Sequence, residues 1–281
     1  MGVGSGRGSS GVYCVLVLRP GALGDTLLAV PALRALRARF GPLTLAAHGG
    51  AARLLASLGE VDEGLAFDDP RLGWVFNAAP RPTDDQVVAW LNPAQASGLG
   101  DALLVASSRP STEQHCAEYL LETLAPLGCN TVTDDTPLAV PPHVTDEVLV
   151  HPGSGSAAKN WPPERFAALI QALESAMRLI VGEADVAAAQ AIERSLGHTL
   201  PRLEQPPLDE LAQRLAGCRA YVGNDSGVSH LAGLCGARTV ALFGPTNPAV
   251  WQPLGPSVIV FRFEATTKQL THALLGSNHH A

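Results

Sequence analysis

The chain has 281 residues, 46% of them apolar and 16% charged. At ~150 residues per domain that is about two domains with a sizeable core, which excludes wholesale disorder. Nineteen basic against 26 acidic residues leave a net charge of −7. That excludes a nucleic-acid partner as the working expectation, because phosphate binding rests on a basic surface.

Residues 1–11 are rich in Gly and Ser, with Arg7 as their one charge, and read as a floppy lead-in rather than a signal peptide. The apolar run Val12–Leu18 is far shorter than the ~20 residues of a membrane span and reads as a buried strand. The loop Arg19-Pro-Gly-Ala-Leu-Gly-Asp25 follows, and then a helix with Leu27, Val30, Leu33 and Leu36 on one face. Strands are expected at Leu43–Ala47, Val87–Trp90 and Ala102–Ala106, with helices near 49–58 and 113–126. The segment Thr136-Pro-Leu-Ala-Val-Pro-Pro142 is the best linker in the chain.

The same strand, glycine loop and helix then recur. Glu147–Val150 leads through His151-Pro-Gly-Ser-Gly-Ser156 into a helix from Pro162. Further strands are expected at Leu179–Val181, Ala220–Val222, Thr239–Phe243 and Val258–Phe261, and helices near 184–196, 208–216 and 227–235. Continuous apolar strands alternating with amphipathic helices imply parallel sheets covered on both faces. The expected fold class is therefore α/β, with two Rossmann-like domains, 12–140 and 141–281, facing each other across a cleft. The five cysteines are widely spaced with no C-x-x-C, so they read as buried thiols in a reducing cytosol. A cytoplasmic protein without a transmembrane segment is expected, with peripheral membrane contact left open.

Open α/β sheets bind ligands beyond the carboxyl ends of their strands. The loop from His151 combines small residues, which let backbone N–H groups approach an anion, with Ser154 and with Lys159, one of two lysines in the chain. It lacks the Lys-Ser/Thr of a Walker A motif. Asn224-Asp-Ser-Gly227 turns directly into a helix: one polar residue would suffice as a cap, and four small or polar ones suggest a diphosphate or sugar site. Asp25 could cap its helix or act as a general base toward a hydroxyl. Glu183 and Asp185, after a strand, could hold ribose hydroxyls or favour a helix N-terminus. Thr246 lies in a turn that could line the cleft. His230, inside a helix, reads as a satisfied interior histidine. Neither glycine loop gives a G-x-G-x-x-G with an acid ~20 residues on, so a dinucleotide oxidoreductase is disfavoured.

Together, the run from Arg19 to Arg37, His151-Pro-Gly-Ser with Lys159-Asn-Trp-Pro, Val222-Gly-Asn-Asp-Ser-Gly-Val-Ser-His-Leu231 and Leu242-Phe-Gly-Pro-Thr246 resemble the heptosyltransferase family of glycosyltransferases, over essentially residues 12–262. The resemblance implies a GT-B fold with the acceptor in the N-terminal domain and the nucleotide sugar, ADP-heptose, in the C-terminal one. It further implies an inverting, metal-independent transfer to a hydroxyl of a glycan or lipopolysaccharide-type acceptor, with no cofactor. Asp25 then matches the catalytic base, Ser154 and Lys159 the donor-phosphate contacts, and Asp225, Ser226 and Gly227 the loop that grips sugar and diphosphate. Asp185 or Glu183 matches the ribose contact. No D-x-D occurs, in keeping with metal independence. Residues 1–144 carry 9 Arg, no Lys and 14 acidic residues, and only Arg34, Arg37 and Arg39 cluster. The acceptor is therefore left open among a lipid-linked or other glycan, a peptide and a small molecule. A nucleotide-sugar epimerase-like enzyme and a non-catalytic nucleotide-sugar binder are the alternatives.

Overall fold

The computed structural model describes residues 14–77, 86–92, 94 and 98–276. The expected lead-in and the first two residues of the expected opening strand lie outside them. Two parallel sheets carry the fold. The first contains β1 (Val15–Leu18), β2 (Leu43–Ala47), β3 (Glu63–Ala66), β4 (Gln86–Trp90) and β5 (Leu104–Ala106), in the order β3-β2-β1-β4-β5. The second contains β6 (Val148–His151), β7 (Met177–Val181), β8 (Arg202–Glu204), β9 (Ala220–Asn224), β10 (Thr239–Phe243) and β11 (Val258–Arg262), in the order β11-β10-β9-β6-β7-β8. Both are doubly wound orders, reversing beside β1 and beside β6, and a crevice forms at each such reversal. β1, β9 and β10 are buried at every residue, which is why their stretches Val15–Leu18, Ala220–Val222 and Val240–Phe243 are apolar throughout. β3 and β8 stand at sheet edges with mixed exposure and left no comparable signal.

The helix expected after the first loop is two: α1 (Leu23–Leu27) and α2 (Val30–Phe40). Pro31, in the first turn of α2, has no N–H to give to the Leu27 carbonyl, so the ladder breaks there. α3 (Gly49–Ser57) and α4 (Cys116–Thr123) complete the first half. The second half adds α5 (Pro163–Leu173), α6 (Val186–Leu196), α7 (Leu208–Gly217), α8 (Gly227–Leu234), α9 (Pro248–Trp251) and α10 (Thr267–Leu275).

The two halves meet through α1 and α8. A Cβ on Gly24 would lie 2.8 Å from Cδ2 of His230, and one on Gly227 would lie 2.7 Å from Cβ of Leu23. The lack of side chains at these two positions is what lets the helices touch. The buried cluster around Leu27 and Leu33 continues through this contact into Tyr221 and Leu231, so one apolar core is shared by the two halves. Residues 129–147 carry neither helix nor strand. Arg34 on α2 grips the start of this segment, donating from Nη1 to the Thr136 carbonyl at 2.8 Å, and buried Leu138 donates its N–H to Leu234 at 2.8 Å. Arg34 also forms a two-bond pair with Glu60 at 2.9 and 2.7 Å, and Arg37 pairs with Asp62 at 3.1 Å. Two arginines of the expected basic cluster are thus spent on neighbouring acids. Among the described residues no helix is long and apolar enough to cross a membrane, and the five cysteines are free thiols.

Candidate functional site

A cavity of about 400 Å³ opens between the halves, lined by Asp25 and Arg109 from the first and by Lys159, Asp225, Ser226, Gly227, His230, Thr246 and Trp251 from the second. These residues come from the segments after β1, β5, β6, β9 and β10, at the carboxyl ends of the strands, where parallel sheets leave room for ligands.

Asp25 lies in the first turn of α1. Its Oδ2 accepts the Ala22 N–H at 3.0 Å, so part of the capping reading is realised, yet the side chain keeps 19% exposure and faces the cavity. Gly21, at φ +142°, has no room for a side chain: a Cβ there would sit 2.7 Å from Cβ of Asp25. Arg19 Nη2 lies 3.6 Å from Asp25 Oδ1. This guanidinium is fully buried, and its Nε and Nη2 have no hydrogen-bond partner among the described residues. Burial lowers its pKa, against the opposing pull of Asp25 and Cys116.

Across the cavity Lys159 Nζ donates to Asp225 Oδ2 at 2.8 Å, and Thr246 Oγ1 donates to the same oxygen at 2.7 Å. Asp225 Oδ1 has no hydrogen-bond donor among the described residues and can accept from a ligand. Asn224 ties the two loops of this wall together, donating to the Pro152 carbonyl at 2.8 Å and accepting the Trp161 N–H at 2.9 Å.

Behind that wall runs a buried polar chain. His151 Nε2 is 3.0 Å from Asp185 Oδ2 and Nδ1 is 3.2 Å from Ser226 Oγ. Ser226 caps α8 by accepting the Ser229 N–H. Ser229 Oγ donates to the Asn224 carbonyl and lies 2.9 Å from the Tyr221 hydroxyl. Burial pushes the Tyr221 phenol well up, so it remains a donor. Burial would also raise Asp185, but the His151 hydrogen bond and charge, with the Gly182 N–H at 2.9 Å, bring it below the usual carboxylate range.

Of the two acids considered for a ribose, Asp185 is therefore held inside the protein while Glu183 is exposed. Ser154 does not face the cavity: its Oγ lies 2.7 Å from both the Ser156 carbonyl and Asn160 Oδ1, folding the loop on itself, and neighbouring Gly155 lines the wall instead. His230 is not a satisfied interior histidine. It is buried, lines the cavity, and its Nδ1 has no hydrogen-bond partner among the described residues. Burial drives its pKa down to about 4 despite Asp225 and Asp25 nearby, so the ring is neutral at pH 7. Arg109, whose guanidinium lies 5.7 Å from the Trp251 ring centroid across the cleft, had no signal in the sequence beyond its place after a strand. Among the described residues no group of three or more His, Cys, Asp or Glu is placed to hold a metal ion.

Residues 133–274, half of the chain, match the family described as glycosyltransferase family 9 (heptosyltransferase). The chain belongs to this family. The matched segment contains the Lys159 and Asp225 loops but not Asp25. The chain is 32% identical over 115 residues to lipooligosaccharide heptosyltransferase 2 of Haemophilus ducreyi, covering 37% of this chain and 33% of that protein. It is 34% identical over 118 residues to lipopolysaccharide heptosyltransferase 1 of Pseudomonas aeruginosa, covering 40% and 32%. The aligned segment thus spans about a third of the curated relatives' length. In fold the family 9 chain resembles a glycosyl transferase family 9 protein of Veillonella parvula, with a TM-score of 0.77 at 18% identity over 94% of this chain and 97% of that one. It likewise resembles E. coli heptosyltransferase WaaC with ADP, with a TM-score of 0.72 at 19% identity over 92% and 98%. With these neighbours the two parallel sheets make a GT-B architecture.

Proposed function

We propose that the protein is an inverting, metal-independent glycosyltransferase that moves a sugar from a nucleotide-diphosphate donor, ADP-heptose, to a hydroxyl of a glycan or lipopolysaccharide-type acceptor. One observation carries the reading: a single cavity is lined by the Asp25 carboxylate on one side and by Lys159, Ser226 and Gly227 on the other. A base and an anion-binding wall are what displacement at an anomeric carbon needs. Asp25 takes the acceptor proton as that oxygen attacks from the face opposite the nucleotide. Lys159 and the free N–H groups at the start of α8 meet the charge that grows on the departing diphosphate. Asp225 Oδ1 accepts from donor sugar hydroxyls, and exposed Glu183 is the acid free to take the ribose. Ser154 contributes by shaping the loop behind Gly155. The division near residue 140, with 12–140 binding acceptor and 141–281 binding donor, belongs to the same proposal. The heptosyltransferase relatives and a neighbour with ADP support the choice of donor.

The test is calorimetric titration with ADP, UDP and GDP in EDTA, followed by sugar transfer from ADP-heptose. Selective ADP binding is expected. Selective UDP or GDP binding would reassign the donor, and binding of none would overturn the reading.

A further inference from the structure

Seven of the nine arginines of the first half lie among the described residues. Four of them face acids: Arg19 beside Asp25, Arg34 on Glu60 and Asp134, Arg37 on Asp62, and Arg71 on Asp69 and Glu63. Arg39 lies over its neighbour Phe40 in the last turn of α2, and Arg53 lines a different cavity with Pro207 and Asp209. Of the seven, only Arg109 lines the cavity that holds Asp25. Its guanidinium is exposed, lies over the Trp251 ring, and has no acid or other hydrogen-bond acceptor among the described residues. The backbone beneath it is tied down. Ser107 Oγ accepts the Arg109 N–H at 3.2 Å and donates to the Arg109 carbonyl at 2.9 Å, while the Tyr119 hydroxyl on α4 donates to the Ser107 carbonyl at 3.1 Å. Just before α4, His115 Nε2 donates across the cleft to the Gln252 carbonyl at 3.0 Å, next to Trp251. A guanidinium over an indole keeps the N–H groups of its rim available for a flat oxyanion.

The first sheet carries opposite signs beyond its two edges. At one edge β3 leads into Asp68 and Asp69, where Arg71 offsets one of the three acids Glu63, Asp68 and Asp69. At the other edge β5 leads to Arg109. An anion is drawn to the β5 side and repelled from the β3 side, which fixes the direction in which a charged acceptor lies. Resting on the glycosyltransferase reading above, we propose that Arg109 selects the acceptor: a sugar bearing one carboxylate or phosphate, which the guanidinium holds at the β5 side while a hydroxyl of the same molecule meets Asp25. A headgroup with many negative charges finds no matching surface there, because the other described cations of this side are spent on acids or lie away from the cavity. Arg109 keeps its charge at any working pH, so the selection involves no proton.

The experiment is calorimetric titration of the whole chain, first saturated with ADP so that the Lys159 wall is filled, with glucose, glucuronate and glucose 6-phosphate. At least one of the two anionic sugars should bind about tenfold or more tightly than glucose, and which of them does so tells a carboxylate acceptor from a phosphate one. Arg109→Gln should remove that margin. Arg109→Lys, which keeps the charge but not the fork, should keep part of it. Anionic sugars that bind no better than glucose, binding of none included, would overturn the inference. So would a margin that survives Arg109→Gln, or an anionic sugar that displaces ADP and therefore sits on the donor wall. Sedimentation with phosphatidylglycerol vesicles tests a lipid surface: binding to them that survives Arg109→Gln would place anion recognition elsewhere and overturn the inference too. Failure of ADP to bind at the first step would instead overturn the donor reading.

Discussion

Replacing Lys159 by alanine isolates the donor wall. In the free protein Nζ is already held 2.8 Å from Asp225 Oδ2, so a diphosphate must share the ammonium with that carboxylate. One charge-assisted hydrogen bond contributes about 1.5–3 kcal/mol, and its loss should weaken ADP by roughly 10- to 150-fold. The substitution also leaves the Asp225 side chain, 7% exposed, with Thr246 as its one remaining side-chain donor among the described residues. Lys159 is 32% exposed, so the stability loss falls below that of a fully buried pair, at about 1–2 kcal/mol. That corresponds to a fall in Tm of roughly 2–8 °C for a chain of this size. Asp225→Asn should act on ADP in the opposite sense, because it frees the ammonium and removes a negative charge from the cavity, so ADP tightens while sugar transfer falls. Calorimetry with ADP in EDTA and thermal melts of the three proteins measure both effects. Wild-type ADP affinity in Lys159→Ala, or equal weakening in Asp225→Asn, would refute the reasoning.

Asp25→Asn should cut sugar transfer by roughly 10²- to 10⁴-fold without changing ADP affinity; loss of ADP binding in that variant would mean Asp25 serves the donor instead. Gly24→Ala places a Cβ 2.8 Å from a buried His230 ring and should destabilise by about 1–3 kcal/mol in urea melts, whereas a variant as stable as the parent would show that α1 and α8 separate freely. His230 has a folded value of about 4, below the ordinary 6.5, so the unfolded chain protonates first as pH falls. Its contribution is complete above pH 6.5 and is lost on descending through 4, on the order of 3 kcal/mol in all. His230→Gln should flatten that part of the stability profile, and parallel profiles for the two proteins would argue against a buried neutral ring.

Much of the frame was legible because parallel strands buried on both faces must be apolar throughout. β2 and β10 were bounded to the residue, and β9 and α8 nearly so, since the polar run Asn224–Gly227 both ends a strand and starts a helix. Strands β3 and β8 escaped because Glu63-Gly-Leu-Ala66 and Arg202-Leu-Glu204 hold no apolar run, whereas β11, also at an edge, keeps one in Val258–Phe261. The split between α1 and α2 was implicit in Pro31, which closes one helix by offering no N–H and is tolerated at the start of the next.

Sequence alone singled out residues that could carry chemistry: Asp225 and Ser226 because four small or polar residues in a row exceed what a cap requires, Lys159 as one of two lysines in a small-residue loop, and Asp25 as either a cap or a base. Only the tertiary structure decided how they are used. It put Asp25 and Lys159, 134 positions apart in number, on one cavity, because two crevices face each other once Gly24 and Gly227 let α1 and α8 touch. It turned Asp185 inward to His151, and it placed His230, Arg109 and Trp251 on the cavity wall. Such assignments depend on contacts between residues far apart in the chain, and local spacing records the direction of a side chain within its own element but not the partner it meets.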